Sequence, residues 1–295
     1  MSSTEVFDRN RPLLFSISYR MLGSVMEAED VVQEAFLRWQ GVTEEIRYPS
    51  AYLSTVATRL CIDRLRSARV RRERYVGTWL PEPLLGEQAQ EVAPAVDLDD
   101  SLSMAFLVLL ESLTPVERAV FLLREVFGYE YAEIGSLVGK SEANCRQISR
   151  RARQSVEARR PRFESSPEQE ERLMDGFLEA TLSGDMEALL GMLAEDVTLY
   201  SDGGGKTRAA RNPIYGADKV TRFLAGIRQK APPGFTLRRM QVNGKPGFAG
   251  YLADGSPWAV LTLEVAEGNV RAIRLVVNPE KLGNVPPLKK EAGHA

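Results

Sequence analysis

Asparagine, glutamine and arginine can pair two-pronged with the edges of bases, and arginine also neutralises phosphate. These side chains crowd into one stretch, Ser141-Glu-Ala-Asn-Cys-Arg-Gln-Ile-Ser-Arg-Arg-Ala-Arg153. Its spacing predicts a helix with two unlike faces. Cys145, Ile148, Ser149 and Ala152 recur at helical intervals as a narrow buried stripe. Asn144, Arg146, Gln147, Arg150, Arg151 and Arg153 cover the remainder. Upstream, Tyr131 to Gly139 reads as a short helix stopped by glycine. Lys140-Ser141 makes a tight turn, and Ser141 can N-cap the second helix. Helix, short turn and basic helix form the helix-turn-helix pattern, whose second helix enters the DNA major groove. The competing reading is a solvated basic helix in an ordinary bundle. The coincidence of helix, glycine and cap argues against it.

A second basic cluster lies at 59–74, with Arg59, Arg64, Arg66, Arg69, Arg71, Arg72 and Arg74 against Asp63 and Glu73. Between the clusters, residues 81–100 hold Glu82, Glu87, Glu91, Asp97, Asp99 and Asp100 and no basic residue. The net charge of −2 hides this sorting. Two basic helices around an acidic stretch suggest two DNA contacts joined by a spacer.

Composition excludes several classes. Hydrophobic content of 44% with 26% charged residues fits a soluble globular protein. The 295 residues suggest two or three domains, and no apolar run is long enough to span a membrane. The N-terminus is polar, without a secretory pattern. Cys61 and Cys145 fall inside predicted helices and read as reduced core residues of a cytoplasmic protein. The single histidine, His294, lies in the tail, so neither a histidine-based active site nor a metal cluster is expected. No cofactor is expected.

The supporting elements derive from periodicity and caps. Residues 1–75 read as all-helical. Ser24 to Glu27 is a capping box, and Ala28, Val31, Val32, Ala35, Phe36 and Trp39 form the apolar stripe of the helix it opens. The outer face is mostly acidic. Pro49 starts another helix, with Leu53, Val56, Ala57 and Leu60 buried. Residues 76–100, with Pro81, Pro83 and Pro94, read as a linker. Residues 101–160 form a second, smaller helical domain. In it Thr114, Pro115 and Glu117 mark a helix start.

After a short linker at 161–168 the pattern changes. Residues 169–194 give two helices broken at Ser183-Gly184-Asp185, Val197–Tyr200 a short strand, and Gly216–Gln229 a helix. Strand signals come next at 235–243, 247–253, 257–265 and 269–277, with turns at Asn243-Gly244, Asp254-Gly255 and Glu267-Gly268. Ala259, Leu261, Leu263 and Val265 alternate onto one face. Helices followed by a four-strand meander predict an α+β domain at 169–283, its helices covering a curved sheet. A flexible tail closes the chain at 284–295.

The motif set resembles a known family. Glu29-Asp-Val-Val-Gln-Glu-Ala-Phe36 is similar to the core-polymerase-binding helix of bacterial extracytoplasmic-function (ECF) sigma factors. The run from Pro49 to Arg66 resembles that family's promoter-melting helix. Leu113-Thr-Pro-Val-Glu-Arg118 and the helix-turn-helix resemble its fourth domain. The C-terminal third resembles the SnoaL-like, nuclear-transport-factor-type (NTF2-like) cone. Trp79-Leu-Pro-Glu-Pro83, Asp202-Gly-Gly-Gly-Lys206 and Asn278-Pro-Glu-Lys-Leu282 match the sigma-factor group that carries this extension, the SigJ type. Two positions depart from the common pattern: Arg59 replaces a frequent asparagine, and Ile148 a frequent arginine.

The resemblance implies a multidomain fold and a set of roles. Sigma domain 2 spans 1–75 and sigma domain 4 spans 101–160, both all-α, and the cone is regulatory. Asp30, Gln33 and Glu34 would bind the clamp of core RNA polymerase. Thr55, Thr58, Arg59, Arg64 and Arg66, with loop 41–49, would face the melted upstream promoter element. Ser141, Glu142, Asn144, Arg146 and Gln147 would lie nearest the bases of the distal element, with Arg150 and Arg151 nearer phosphates. The acidic linker would thread the polymerase's nucleic-acid channel. Trp79, Pro81, Asp202, Gly203, Gly204, Gly205, Lys206, Asn278, Pro279, Lys281 and Leu282 would make interdomain contacts regulating the sigma portion in cis, without a separate anti-sigma factor. A small molecule in the cone's cavity is compatible with the fold type.

Two rivals are weighed. A ligand-responsive helix-turn-helix regulator with a sensor domain would not need the motifs at 20–75. An enzyme on the cone would use Asp202 or Asp218 as acid or base, but no second group is placed to assist.

Overall fold

The computed structural model describes residues 2–72, 75–85, 99–159 and 166–288. They form two compact units, one from 2–72 with 99–159, the other from 75–85 with 166–288. The acidic residues Glu87, Glu91 and Asp97, and Arg74 of the basic cluster, lie outside the described residues, as does the tail from 289. So do the side chains of Asp99, Asp100, Arg69, Arg71 and Arg72.

In the helical unit α1 spans Ser3–Leu22, α2 Val25–Gln40 and α3 Pro49–Arg72. Ser2 and Glu5 close a capping box on α1, and Gly23 ends it in the left-handed conformation, φ 67°. The Ser24 hydroxyl accepts from the Glu27 N–H at 3.2 Å at the start of α2. The expected stripe of α2 is buried, with Phe36 half-buried at its margin. Leu53, Val56, Ala57 and Leu60 of α3 are buried as expected. Then α4 (Met104–Leu110) leads to α5 (Pro115–Phe121), where Thr114 and Glu117 cap each other. The helix widens into a π turn at Leu122–Val126. The motif itself comes after it: α6, Tyr131–Val138, and α7, Glu142–Glu157.

The two helical segments were expected as separate domains, but they share one unit. The tie is polar and buried. The Arg118 guanidinium donates to the Met21 carbonyl at 2.7 Å and pairs with Glu111 at 2.9 Å. Arg20 donates to the Ser101 hydroxyl at 3.2 Å. Burial pushes both guanidinium pKa values down to about 10. The Tyr129 hydroxyl donates to the Ser54 oxygen at 2.9 Å.

One glycine fixes the motif's turn. A Cβ on Gly135 would sit 2.7 Å from the Lys140 carbonyl oxygen, so α6 touches the turn backbone. Gly135→Ala is expected to cost about 1–3 kcal/mol by overpacking. Chemical denaturation of the full chain checks this; an unchanged midpoint would show the turn to be tolerant.

In the C-terminal unit α8 (Pro167–Ser183), α9 (Met186–Met192) and α10 (Ala217–Gln229) cover one face of a six-stranded sheet. The strands are β1 Leu193–Asp202, β2 Ile214–Tyr215, β3 Thr236–Val242, β4 Lys245–Tyr251, β5 Pro257–Ala266 and β6 Asn269–Val276. Their order is β2-β1-β6-β5-β4-β3. The antiparallel meander β3 to β6 matches the expectation. However, β1 is longer than Val197–Tyr200 and runs parallel beside β6, and β2 adds an edge. Ala259 and Leu261 of β5 join Phe177, Leu224, Phe248 and Ile273 in the core, with Leu263 and Val265 packed at its margin. Asn243 and Glu267 take positive φ, 54° and 55°, in the two-residue hairpin turns.

Residues 75–85 belong to this second unit rather than hanging free. Leu80, Leu84 and Leu85 are buried. The Leu84 N–H donates to Asn243 Oδ1 at 3.1 Å, the Asn243 N–H returns a bond to the Leu84 carbonyl at 2.8 Å, and Leu85 bridges Val242. No helix among the described residues is long and apolar enough to cross a membrane.

Candidate functional site

The second helix of the motif, α7, stands on its predicted stripe. Cys145, Ile148, Ser149 and Ala152 are all buried, and Cys145 and Ile148 share one cluster with Val120, Leu123, Ile134 and Leu137. Ser141 accepts from the Asn144 N–H at 3.3 Å, and Gly139 ends α6 at φ 68°. Every position assigned to DNA on this helix is therefore exposed: Ser141, Glu142, Asn144, Arg146, Gln147, Arg150 and Arg151. Ile148 cannot replace the family's frequent arginine as a contact, because it is core. Arg146 is paired with Glu142 one turn back and lies over the Tyr131 ring, its side chain still 62% exposed.

On α2, Asp30 and Gln33 are exposed and Glu34 is half-buried. Arg64 of α3 meets Asp30 at 3.3 Å and Glu34 at 3.9 Å, and Arg38 meets Glu34 at 2.5 Å. Arg64, expected at DNA, is thus engaged with the acidic face instead. Arg66 is exposed and pairs with Asp63 at 3.2 Å.

The expected DNA side of α3 is only partly free. Thr55 is half-buried and donates to the Ala51 carbonyl at 2.7 Å. Thr58 is fully buried, a correction to its expected placement. The reason is that α3 is central. Leu53 and Leu60 face one set of neighbours, while Ser54, Thr58 and Cys61 fill a second stripe. Arg59 donates through Nε to the Leu137 carbonyl and through Nη2 to the Ser136 carbonyl, both at 3.1 Å. These are last-turn carbonyls of α6, where a helix carries partial negative charge. Loop 41–49 is largely exposed. Arg47 lies 5.2 Å from the ring centroid of Tyr48, which is 64% exposed. Only an aromatic next to an arginine in that loop marks this pair in the sequence.

In the second unit three distant segments meet at Asp202, which is wholly buried. Its Oδ1 accepts from the Tyr75 hydroxyl at 2.6 Å and the Gly204 N–H at 3.1 Å. Its Oδ2 accepts from the Leu80 N–H at 2.8 Å and Lys281 Nζ at 2.6 Å. The Lys281 ammonium lies 4.4 Å from the Trp79 ring centroid and also donates to the Leu80 carbonyl. Asn278, buried, donates to the Tyr75 oxygen at 3.0 Å. Burial and the Asp202 carboxylate raise the Tyr75 pKa well above the ordinary phenol value. Gly204 and Gly205 have φ 58° and 72°, and a Cβ on Gly204 would collide with the Asn278 amide. Gly203 is closed in by Ala209 and Thr207. Lys206 pairs with Glu280 at 3.1 Å. Pro81 and Leu282 are buried and Pro279 exposed.

A carboxylate with four donors, one a cation, has no free lone pair in position for proton transfer, which removes Asp202 as a general base. Asp218 is exposed and borders a surface groove of about 470 Å³ with Glu187, Thr221 and Arg222. The helix-facing side of the sheet is filled by the core.

Sequence comparisons agree with this layout. Residues 6–71 match the family model Sigma-70 region 2, and residues 103–156 match Sigma-70, region 4. The chain is 38% identical to the ECF RNA polymerase sigma factor SigJ of Mycobacterium tuberculosis, over 97% of this chain and 95% of that one. It is 32% identical to the probable ECF RNA polymerase sigma factor SigI of the same species, over 96% and 95%. The crystal structure of M. tuberculosis SigJ superposes with a TM-score of 0.77 at 34% identity, covering 97% of this chain and 100% of that one. With both sigma regions in an all-helical unit and an α+β unit after them, the chain belongs to the extracytoplasmic-function RNA polymerase sigma factors, and is an alternative sigma factor.

Proposed function

We propose that this sigma factor docks on core RNA polymerase through Asp30, Gln33 and Glu34, and reads the distal promoter element with the exposed side of α7. Arg59, Arg66 and loop 41–49 serve the melted upstream element, and the NTF2-like unit governs the sigma portion in cis. The governing element is the 75–85 segment. It connects the two sigma regions, and Asp202, Lys281 and Asn243 hold it on the second unit. Factor and regulator then share one chain, and no separate anti-sigma protein is needed. The protein acts beside polymerase in the cytoplasm and performs no chemistry of its own.

The observation that carries this reading is α7. Its apolar stripe is buried in full while its asparagine, glutamine and arginines remain outside. Within it Arg146 and Gln147 read bases, and Arg150 and Arg151 hold phosphate. Transcription by core polymerase with the full chain, on a library randomised in the distal element, tests the division. Arg146→Ala is expected to cost about 1–3 kcal/mol and to relax choice at one position. Arg150→Ala is expected to weaken all sites alike and reduce the salt slope by about one. The same specificity profile from both variants would refute it.

A further inference from the structure

Base reading by arginine depends on where the guanidinium is held before DNA arrives. A long free side chain loses rotamer freedom on binding, and a guanidinium already stacked and paired loses less. Arg146 is held in this way. Its guanidinium carbon lies 5.1 Å from the Tyr131 ring centroid, and Glu142 pairs with one of its nitrogens. Tyr131 is itself fixed. It opens α6, its hydroxyl donates to the Ser149 oxygen at 3.3 Å, and its ring packs against the motif's core cluster. Arg124 lies 4.9 Å from the same ring and is tied to the Tyr129 carbonyl at 3.0 Å and to Glu130 at 3.2 Å. The ring is therefore anchored to α7 at its hydroxyl and presents its face to a guanidinium that projects into solvent.

We infer that Tyr131, on the first helix of the motif, is a positioning residue for promoter specificity. It sets the direction in which Arg146 reaches the base edge, with Glu142 holding the guanidinium's inner side. This rests on the reading of Arg146 given above. It separates two roles that a contact census of α7 alone would merge: Arg146 touches the base, and Tyr131 and Glu142 decide how firmly it is aimed. The stack also explains why a tyrosine stands at the first turn of α6, where its ring is only half-buried.

The test uses the full chain with core polymerase on the library randomised in the distal element. Tyr131→Leu and Tyr131→Gln remove the ring, and Tyr131→Phe keeps it. Removing the ring is expected to lower base preference about two- to fivefold, the size of an exposed cation–π contact, and only at the position that Arg146→Ala relaxes. Tyr131→Phe is expected to retain that preference. In the Arg146→Ala background the loss of the ring is expected to add little further change. The proposal is overturned if Leu and Gln weaken all sequences equally with the profile unchanged, or if their effects add fully to Arg146→Ala. If Arg146→Ala itself leaves every base preference intact, the base-reading role of Arg146 fails first and the proposal with it. That outcome is distinct from one in which only the Tyr131 variants are silent. Two ring-removing variants guard against one that fails to fold, and thermal melts identify it.

Discussion

Reversing Asp30 and Glu34 to arginine is expected to abolish binding to core polymerase while leaving the fold intact. The two carboxylates lie on the outer face of α2, and their partners Arg38 and Arg64 meet them at the surface. Pairs at or near the surface contribute about 0–1 kcal/mol each, and the like-charge contacts the reversal makes with Arg38 and Arg64 cost a similar amount, so stability changes little. Across an interface the sign of the charge matters more. Close charge pairs between proteins couple by about 1.5–7 kcal/mol, and a reversal replaces attraction with repulsion. A loss of at least about a hundredfold in affinity, roughly 2.7 kcal/mol, is therefore expected in a pull-down or anisotropy titration. Unchanged affinity in a variant with a wild-type melting curve would remove the clamp role from this face.

The second large effect is expected at Asp202. Asp202→Ala deletes the acceptor of four donors and removes the counter-charge of the Lys281 ammonium, whose side chain is 12% exposed and which keeps the Leu80 carbonyl. Breaking one partner of such a pair costs about 3–5 kcal/mol. Asp202→Asn keeps the shape but puts an NH2 in place of one oxygen, so either Tyr75 and Gly204 or Lys281 and Leu80 lose their acceptor and the counter-charge is gone, and it is expected to rescue little. Adding Lys281→Met to Asp202→Ala removes the uncompensated charge and is expected to restore part of the loss, a non-additive pair. Hydrogen exchange reports the local event. The Leu80 amide, bonded to Asp202, is expected to lose protection before the core strands β5 and β6 do. An unaltered Leu80 amide and an unaltered melt in Asp202→Ala would mean that the carboxylate does not hold the segment.

How much of this was legible in the sequence depends on how local the cause is. The buried stripe of α7, the caps at Ser141 and Thr114, and the alternation of Ala259 and Leu261 are set within a few residues. They stand where periodicity places them. The 76–100 stretch was legible only in part. Its prolines do keep residues 77–84 out of helix and strand. What buries Leu80 and Leu84, though, is Asp202 and Asn243, more than a hundred residues further along, and composition carries no trace of that. The parallel pairing of β1 with β6 is hidden for the same reason. Thr58 shows a different limit. It reads as an outward polar residue because the stripe through Leu53 and Leu60 accounts for one buried side of α3, while Ser54, Thr58 and Cys61 are buried on a second side that this stripe does not show. Among the junction residues, the three short motifs were legible as a set, whereas Tyr75 has no local signature and Asn243 was legible only as a hairpin-turn residue.

The Arg59 bonds to α6 have a consequence for apparent affinities. A guanidinium that commits Nε and Nη2 to the Leu137 and Ser136 carbonyls does not offer those two nitrogens to promoter DNA at the same moment. The asparagine frequent at this position in the family would be too short to bridge as arginine does. Hydrogen bonds with a charged donor contribute about 1.5–3 kcal/mol each, and the Tyr129–Ser54 bond a further 0.5–1.5 or so. If only about 3 kcal/mol of this survives as a net preference, the form with α3 uncovered is populated on the order of once in a hundred molecules. Any ligand that needs that form binds about a hundredfold more weakly than its contacts alone would allow. On the reading that Arg59 serves the melted element, the occupancy of a weak promoter depends on an arginine bonded to α6 as well as on the arginines of α7.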